Sequence, residues 1–247
     1  MSARKAALVT GASSGIGAAI ARRLANDGWQ VLAAGRDAAR TNSLAESSPA
    51  IHPWVGDLAN STDADRLVAD CLRALGGLDL LVNNAGIYEI ANAEATTDDA
   101  WQRTLAINLS MPFYLSRAAI PVLRERRGAI INIASDWGLK GGARAVAYCA
   151  SKGGLVLMTR AMAIDHAHES IRINAVCPGD VETPMLYRSG ATRGADAKTA
   201  LREADAESRT GRVTKPEEVA ALVAFLASDD AAQITGAALP IDGGGLA

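Results

Sequence analysis

The chain has 247 residues, 49% of them hydrophobic, and a formal net charge of −2. Such a length and composition suit one large α/β domain with a sizeable core, argue against extended disorder, and leave no basic footprint for nucleic acid. Three cysteines (Cys71, Cys149, Cys177) without a CxxC pair, and three histidines without companions at ligand spacing, argue against a disulfide framework and against any metal site.

No apolar run approaches the roughly 18 residues that span a bilayer, and Met1–Lys5 carries no leader-like apolar region. The expectation is a soluble, cytoplasmic protein with no membrane or nucleic-acid partner. The one dense basic run, Arg124, Arg126 and Arg127, reads as a solvated helix end.

In chain order, a strand is predicted over Ala6–Val9, then a glycine-rich turn and a helix over Ile16–Asp27. Strands follow at Val31–Ala34 and Ile51–Val55, a helix at Asp63–Leu75, and a strand at Leu78–Val82. One long helix is predicted over Asp98–Arg126, opened by Thr96 and Thr97. A strand at Ala129–Ala134, a helix over Tyr148–His168 and a strand at Ile171–Val176 come next. The polar, Ala- and Gly-rich stretch 182–211 breaks the pattern and reads as a substrate lid. Pro216, a first-turn proline, opens a helix to Ala227, and Ala238–Ile241 is the last strand. The strands show little polar/apolar alternation, as parallel strands buried on both faces should. The fold class is therefore α/β: a single domain over 1–247, a Rossmann-type doubly wound parallel sheet of about seven strands with helices on both faces.

Three patterns carry chemistry. Thr10-Gly11-Ala12-Ser13-Ser14-Gly15-Ile16-Gly17 joins the first strand to the first helix. A turn this tight needs glycine, and the helix start then offers free N–H groups and a partial positive charge to a pyrophosphate. Second, Tyr148 and Lys152 lie four apart, hence on one helix face. A free tyrosine has a pKa of about 10, and a nearby ammonium favours its phenolate, so the pair reads as a tuned acid/base. Third, Pro112 stands four residues after Asn108 and has no N–H, which leaves the Asn108 carbonyl without its usual helical donor. A water is the natural partner for such a carbonyl.

These motifs together resemble the short-chain dehydrogenase/reductase family, with its TGxxxGIG loop, an NNAG motif at Asn83-Asn84-Ala85-Gly86 and a YxxxK pair. The similarity extends to bacterial 3-oxoacyl-carrier-protein-reductase-like and sugar or polyol dehydrogenase members. It implies hydride transfer between a nicotinamide cofactor and a secondary alcohol or ketone. It implies a catalytic tetrad of Asn108, Ser135, Tyr148 and Lys152, with a proton relay from the lysine through a water held at the Asn108 carbonyl. It places Gly11, Ser13, Ser14, Gly15, Ile16, Gly17, Asp57, Leu58, Asn84, Ala85, Gly86, Tyr148, Lys152, Pro178, Gly179, Val181 and Thr183 around the cofactor. Asp242-Gly243-Gly244 resembles the family's C-terminal signature. A homotetramer built on the helices Asp98–Arg126 and Tyr148–His168 is also implied.

NAD-preferring members carry an acidic residue where this chain has Gly35, and Arg36 follows it. An arginine there can pair with a 2′-phosphate, which favours NADP(H) over NAD(H). On the substrate side, Ser135, Trp137, Asp180 and Tyr187 are the candidates, with Asp136, Glu182, Glu89 and Arg188 nearby in sequence. They point to a polar small molecule such as a sugar, polyol, diol or hydroxy acid derivative. The alternatives are a 3-oxoacyl-thioester reductase and, in another class, a nucleotide-sensing or scaffold protein without turnover. Cys149, about a hundred degrees round the helix from Tyr148, reads as packing.

Overall fold

A computed structural model describes residues 4–247. Seven parallel strands form one sheet in the order β3-β2-β1-β4-β5-β6-β7, with β1 Ala6–Thr10, β2 Gln30–Gly35, β3 Ile51–Val55, β4 Leu80–Asn83, β5 Ala129–Ile133, β6 Arg172–Pro178 and β7 Ala238–Ile241. The order reverses between β1 and β4, which pair through Ala7 with Leu80, Leu8 with Leu81 and Val9 with Val82. In a doubly wound sheet that switch point leaves a crevice beyond the carboxyl ends of the strands.

Alternate strand residues face two helical layers. Ala7, Val9, Val31, Ala33, Leu80 and Val82 pack with α1 (Gly15–Asn26) and α9 (Pro216–Ala227) through Ile20, Leu24, Val219 and Val223. Leu8, Leu32, Leu81, Ile130 and Ile173 pack with α3 (Ser61–Leu75), α5 (Met111–Arg126) and α6 (Val146–His166) through Leu67, Leu115, Leu123 and Met162. Each fully buried leucine or isoleucine contributes about 1.5–3 kcal/mol. Pro53 lies on β3, an edge strand that pairs only with β2, where a missing N–H breaks no ladder.

Local chemistry sets the helix starts. Asn60 accepts from the Asp63 N–H at 3.1 Å to start α3, and Thr97 from the Ala100 N–H at 3.1 Å to start α4 (Asp98–Leu105). One sequence expectation needs correction, and two helical segments add to the reading. The helix predicted over Asp98–Arg126 is α4 and α5 joined by a π-turn over Ala106–Ser110, because Pro112 cannot donate and its ring crowds the carbonyl four back. A short helix α2, Ala38–Glu46, was not expected; Asp37 caps it by accepting from the Arg40 N–H at 3.0 Å. The stretch 182–211 contains two helices, α7 Pro184–Thr192 and α8 Ala197–Glu207. None of the described helices is long and apolar enough to cross a membrane.

Candidate active site

The phosphate loop leaves β1 with Gly11 at φ +64° and Gly15 at φ +55°, the left-handed region that a side chain resists. A Cβ on Gly17 would strike the Gly11 carbonyl and come within 2.5 Å of Asn84 Nδ2. Asn84 Nδ2 donates to the Thr10 carbonyl at 2.8 Å, and Thr10 Oγ1 accepts from the Asn84 and Ala85 N–H groups at 3.0 and 3.1 Å. Thr10 and Asn84 thus tie the loop to the Asn83–Gly86 segment, a hub that the glycine spacing alone does not reveal. Ser14 precedes α1 without a side-chain cap bond, and the first turn of α1 holds no acidic residue. The N-terminal N–H groups of α1 are thus left for an anion, the arrangement a pyrophosphate requires. A Cβ on Gly15 would touch the Thr183 side chain at 3.2 Å, so the loop Pro178–Thr183 closes over the phosphate loop.

Four side chains predicted for catalysis meet at the ends of β4 and β5. A Cβ added to Gly86 would lie 3.3 Å from Asn108 Oδ1 and 3.5 Å from Lys152 Nζ, which places both groups about one point. Asn108 is fully buried and its side chain is spent locally: Oδ1 accepts from the Ile87 N–H at 2.9 Å, while Nδ2 donates to the Ile87 carbonyl at 2.9 Å and to Ser151 Oγ at 3.1 Å. Only its main chain remains for other work, and the proline at 112 gives that carbonyl no i+4 donor. Lys152 is buried on α6 and donates to the Ile133 carbonyl at 2.8 Å; burial lowers its pKa to about 8. Lys152 Nζ lies 5.7 Å from the centroid of the Tyr148 ring.

Tyr148 departs from the expectation that the lysine holds its pKa down. Burial raises it above the ordinary tyrosine value, and the charge of Asp136 adds to the rise, against a lowering hydrogen bond with Ser135. Taking the ring out of water outweighs the neighbouring ammonium. Ser135, buried at the end of β5, accepts from the Trp137 N–H at 3.1 Å and donates to Asp136 Oδ1 at 3.0 Å.

On the nucleotide side, Arg36 is exposed and makes no ion pair among the described residues, whereas Asp37 is engaged by Arg40 at 3.3 Å and by the α2 cap. A side chain at Gly35 would meet Thr41 Oγ1 at 2.5 Å and Ser13 Cβ at 3.0 Å. Beside this point lies a cavity of about 380 Å³ lined by Ser13, Arg22, Arg40 and Ser43 among others. Asp57 and Leu58 lie in the loop after β3, exposed and half-buried, with the Leu58 N–H on Asp57 Oδ1 at 3.0 Å.

The substrate side is aromatic. Tyr88, Trp137 and Tyr148 meet edge to face, with centroids 5.1 Å apart for Tyr88–Tyr148, 5.6 Å for Tyr88–Trp137 and 6.2 Å for Trp137–Tyr148. The Trp137 ring sits on Gly142, where any Cβ would collide with it at 2.5 Å. Tyr88 is a wall that sequence reading missed: it is sixty residues from Tyr148, and only its place just beyond Asn83–Gly86 hinted at it. The acidic candidates divide. Asp136 is 7% exposed and faces Ser135 and Lys140 instead of the pocket. Glu89 is paired with Arg103, and Glu182 accepts from the Tyr187 hydroxyl at 2.9 Å, so Tyr187 on α7 is turned to the segment just before its own helix. Asp180 is exposed and has no side-chain hydrogen bond or ion pair among the described residues; partial loss of hydration raises its pKa, and Asp136 and Glu207 raise it further.

Residues 11–245 match the family model described as enoyl-(acyl carrier protein) reductase. The chain is 38% identical to the meso-2,3-butanediol dehydrogenase of Serratia marcescens, over 98% of this chain and 95% of that one. Among solved structures it is similar to an actinorhodin polyketide ketoreductase with NADPH (TM-score 0.94, 34% identity, 98% of this chain and 97% of that one). It is also similar to the 3-ketoacyl-(acyl-carrier-protein) reductase of Brucella melitensis in complex with NADH (TM-score 0.88, 33% identity, 98% of each chain).

Proposed function

The chain belongs to the short-chain dehydrogenase/reductase family, an oxidoreductase acting on CH–OH groups with a nicotinamide cofactor, and from that premise we propose that it interconverts a small polar secondary alcohol and its ketone with NADP(H). The reading rests on one observation above all: the half-buried Tyr148 hydroxyl has Ser135 as its hydrogen-bond neighbour and the buried Lys152 beside its ring, in a crevice at the strand ends. When bound, the cofactor accepts or supplies the hydride. Tyr148 takes the proton of the substrate hydroxyl as the hydride leaves carbon, and returns it in reduction. Ser135 Oγ holds the substrate oxygen. Lys152, fixed on the Ile133 carbonyl, would hold the ribose of a bound nicotinamide cofactor, and its charge favours the phenolate. The main-chain carbonyl of Asn108 holds the water that passes the proton on to solvent. Turnover of meso-2,3-butanediol, its ketone acetoin, and a panel of polyols and hydroxy acids tests this, and turnover in Tyr148→Phe at the wild-type rate would overturn it.

Size and polarity support the substrate class. Tyr88 and Trp137 wall the tyrosine closely, which suits a small molecule, and Asp180 supplies an unpaired carboxyl for a second hydroxyl. The one dense basic run, Arg124, Arg126 and Arg127, closes α5 just before β5, at the end of the sheet away from the crevice, so it offers nothing to a carrier protein delivering a thioester there. The free Arg36, the steric block at Gly35 against an acidic side chain, and the cavity between Arg22 and Arg40 support NADP(H). The expected result is a higher kcat/KM with NADP than with NAD, and a loss of about tenfold for NADP alone in Arg36→Ala. We read 182–211 as the substrate lid, formed by α7 and α8 beside Thr183. We also read the protein as a cytoplasmic homotetramer, in keeping with its free cysteines and with exposed apolar side chains on α6.

A further inference from the structure

Asp136 follows Ser135 directly and is nearly enclosed. Its Oδ1 accepts from Ser135 Oγ at 3.0 Å and from the Trp137 N–H at 2.8 Å; its Oδ2 pairs with Lys140 Nζ at 3.0 Å. Lys140 Nζ donates in turn to the Gly245 carbonyl at 2.9 Å, in the last turn of the chain. A carboxylate can only accept, and a serine hydroxyl has one proton. Given to Asp136, that proton cannot go at the same time to a substrate oxygen or to the neighbouring Tyr148 oxygen, and the Pro178 carbonyl is at the limiting distance of 3.5 Å.

We propose that Asp136 is a positioning residue: it holds the proton of Ser135, so that the resting site presents Ser135 Oγ as an acceptor suited to an alcohol, and Lys140, tethered to the C-terminal turn, sets how strongly it does so. An alcohol O–H can donate to Ser135 on binding, as the serine stands, and turns to Tyr148 for the proton transfer. A ketone oxygen needs a donor, so Ser135 must first leave Asp136, and ketone binding carries that loss. The Asp136 charge also lies near Tyr148, among the groups facing that phenol: Lys152 and Cys149 on α6, Tyr88 across the pocket, and Ser135. A negative charge there disfavours the phenolate, and Lys140 offsets it. Removing Asp136 and removing Lys140 therefore have opposite effects on the same proton.

The proposal rests on Tyr148 being the base, and the test separates the two. In the pH profile of meso-2,3-butanediol oxidation, the acid limb moves to lower pH in Asp136→Asn and to higher pH in Lys140→Met, each by about one unit. In the Tyr148→Phe background, loaded with cofactor, the affinity for acetoin relative to meso-2,3-butanediol rises several-fold in Asp136→Asn and falls in Lys140→Met. A role confined to folding would move both variants the same way, and equal or absent shifts in both measurements overturn the proposal. A profile that survives Tyr148→Phe overturns the base assignment instead, and the binding measurement then decides for or against Asp136 by itself.

Discussion

Buried Lys152 and half-buried Tyr148 stand side by side and both resist their charged forms, the lysine with a pKa near 8 and the tyrosine raised above its ordinary value. That resistance is written into stability. An unfolded lysine titrates near 10.5, so between pH 8 and 10.5 the unfolded chain holds a proton that the folded chain has released, and stability rises with pH. Two buried thiols act the other way. Cys71 and Cys177 are raised by burial to about 12 and about 11 from 9.0, so above pH 9 the unfolded chain loses protons that the folded chain keeps. One proton against two reverses the slope, and the cofactor-free protein should be most stable near pH 9. From pH 8 to 9 the lysine adds about 1 kcal/mol and the two thiols, already titrating in the unfolded chain, remove about 0.7, so the net rise is about 0.3 kcal/mol. Denaturant midpoints across pH 7–11 check it. In Lys152→Met the rising limb should vanish while the fall above pH 9 stays; a rise that persists would place its origin elsewhere.

At the scale of elements, the joint between α4 and α5 is where a helix rule is broken at the site. The π-turn over Ala106–Ser110 carries Asn108, and Met111 N–H bonds to the Ala106 carbonyl five back. Replacing Pro112 by Ala restores a donor for the Asn108 carbonyl and favours regular α geometry. The expected outcome is a fall in kcat of about tenfold, the low end of what a proton-transfer group supplies, with the thermal midpoint little changed and the KM for substrate preserved. An unchanged kcat would detach that carbonyl from the relay. This joint was legible in part: proline at 112 announced a freed carbonyl, though not the form the helix takes to free it. The strands were legible because burial on both faces leaves unbroken apolar runs such as Ala6–Val9 and Val31–Ala34. Helix α2 was not, since only Thr41 and Leu44 of its nine residues are buried and no stripe shows. In α8 the buried residues are Ala200 and Ala204, too small to mark a period against a polar background. The meeting of Asn108, Ser135, Tyr148 and Lys152 was legible through its motifs, whereas Tyr88 and the turning of Asp136 toward Lys140 depend on contacts through space. Lys140 does stand four residues after Asp136, a spacing that in hindsight carried a signal.

For the whole molecule, the question is what covers α6. The helix packs Leu155, Val156, Met162 and Ala163 against the sheet, yet Leu157 is 64% and Ile164 79% exposed on its outer side. They are two helical turns apart and so form one stripe. Phe113 on α5 is also exposed, at 41%. A lone exposed leucine needs no explanation, but two aligned ones on the helix that carries Tyr148 and Lys152 fit a face shared between copies. Each such side chain contributes about 1.5–3 kcal/mol when a neighbour covers it. Replacing both Leu157 and Ile164 by Glu places like charges across any two-fold contact on that stripe. Light scattering should then report a mass below the wild-type assembly, with folding intact by circular dichroism. Because the opposite side of α6 holds Tyr148 and Lys152, kcat should fall with the assembly and recover at protein concentrations that restore it. An unchanged mass in the double variant would move the interface away from α6, and an unchanged kcat in a dissociated variant would show that each copy builds its site alone.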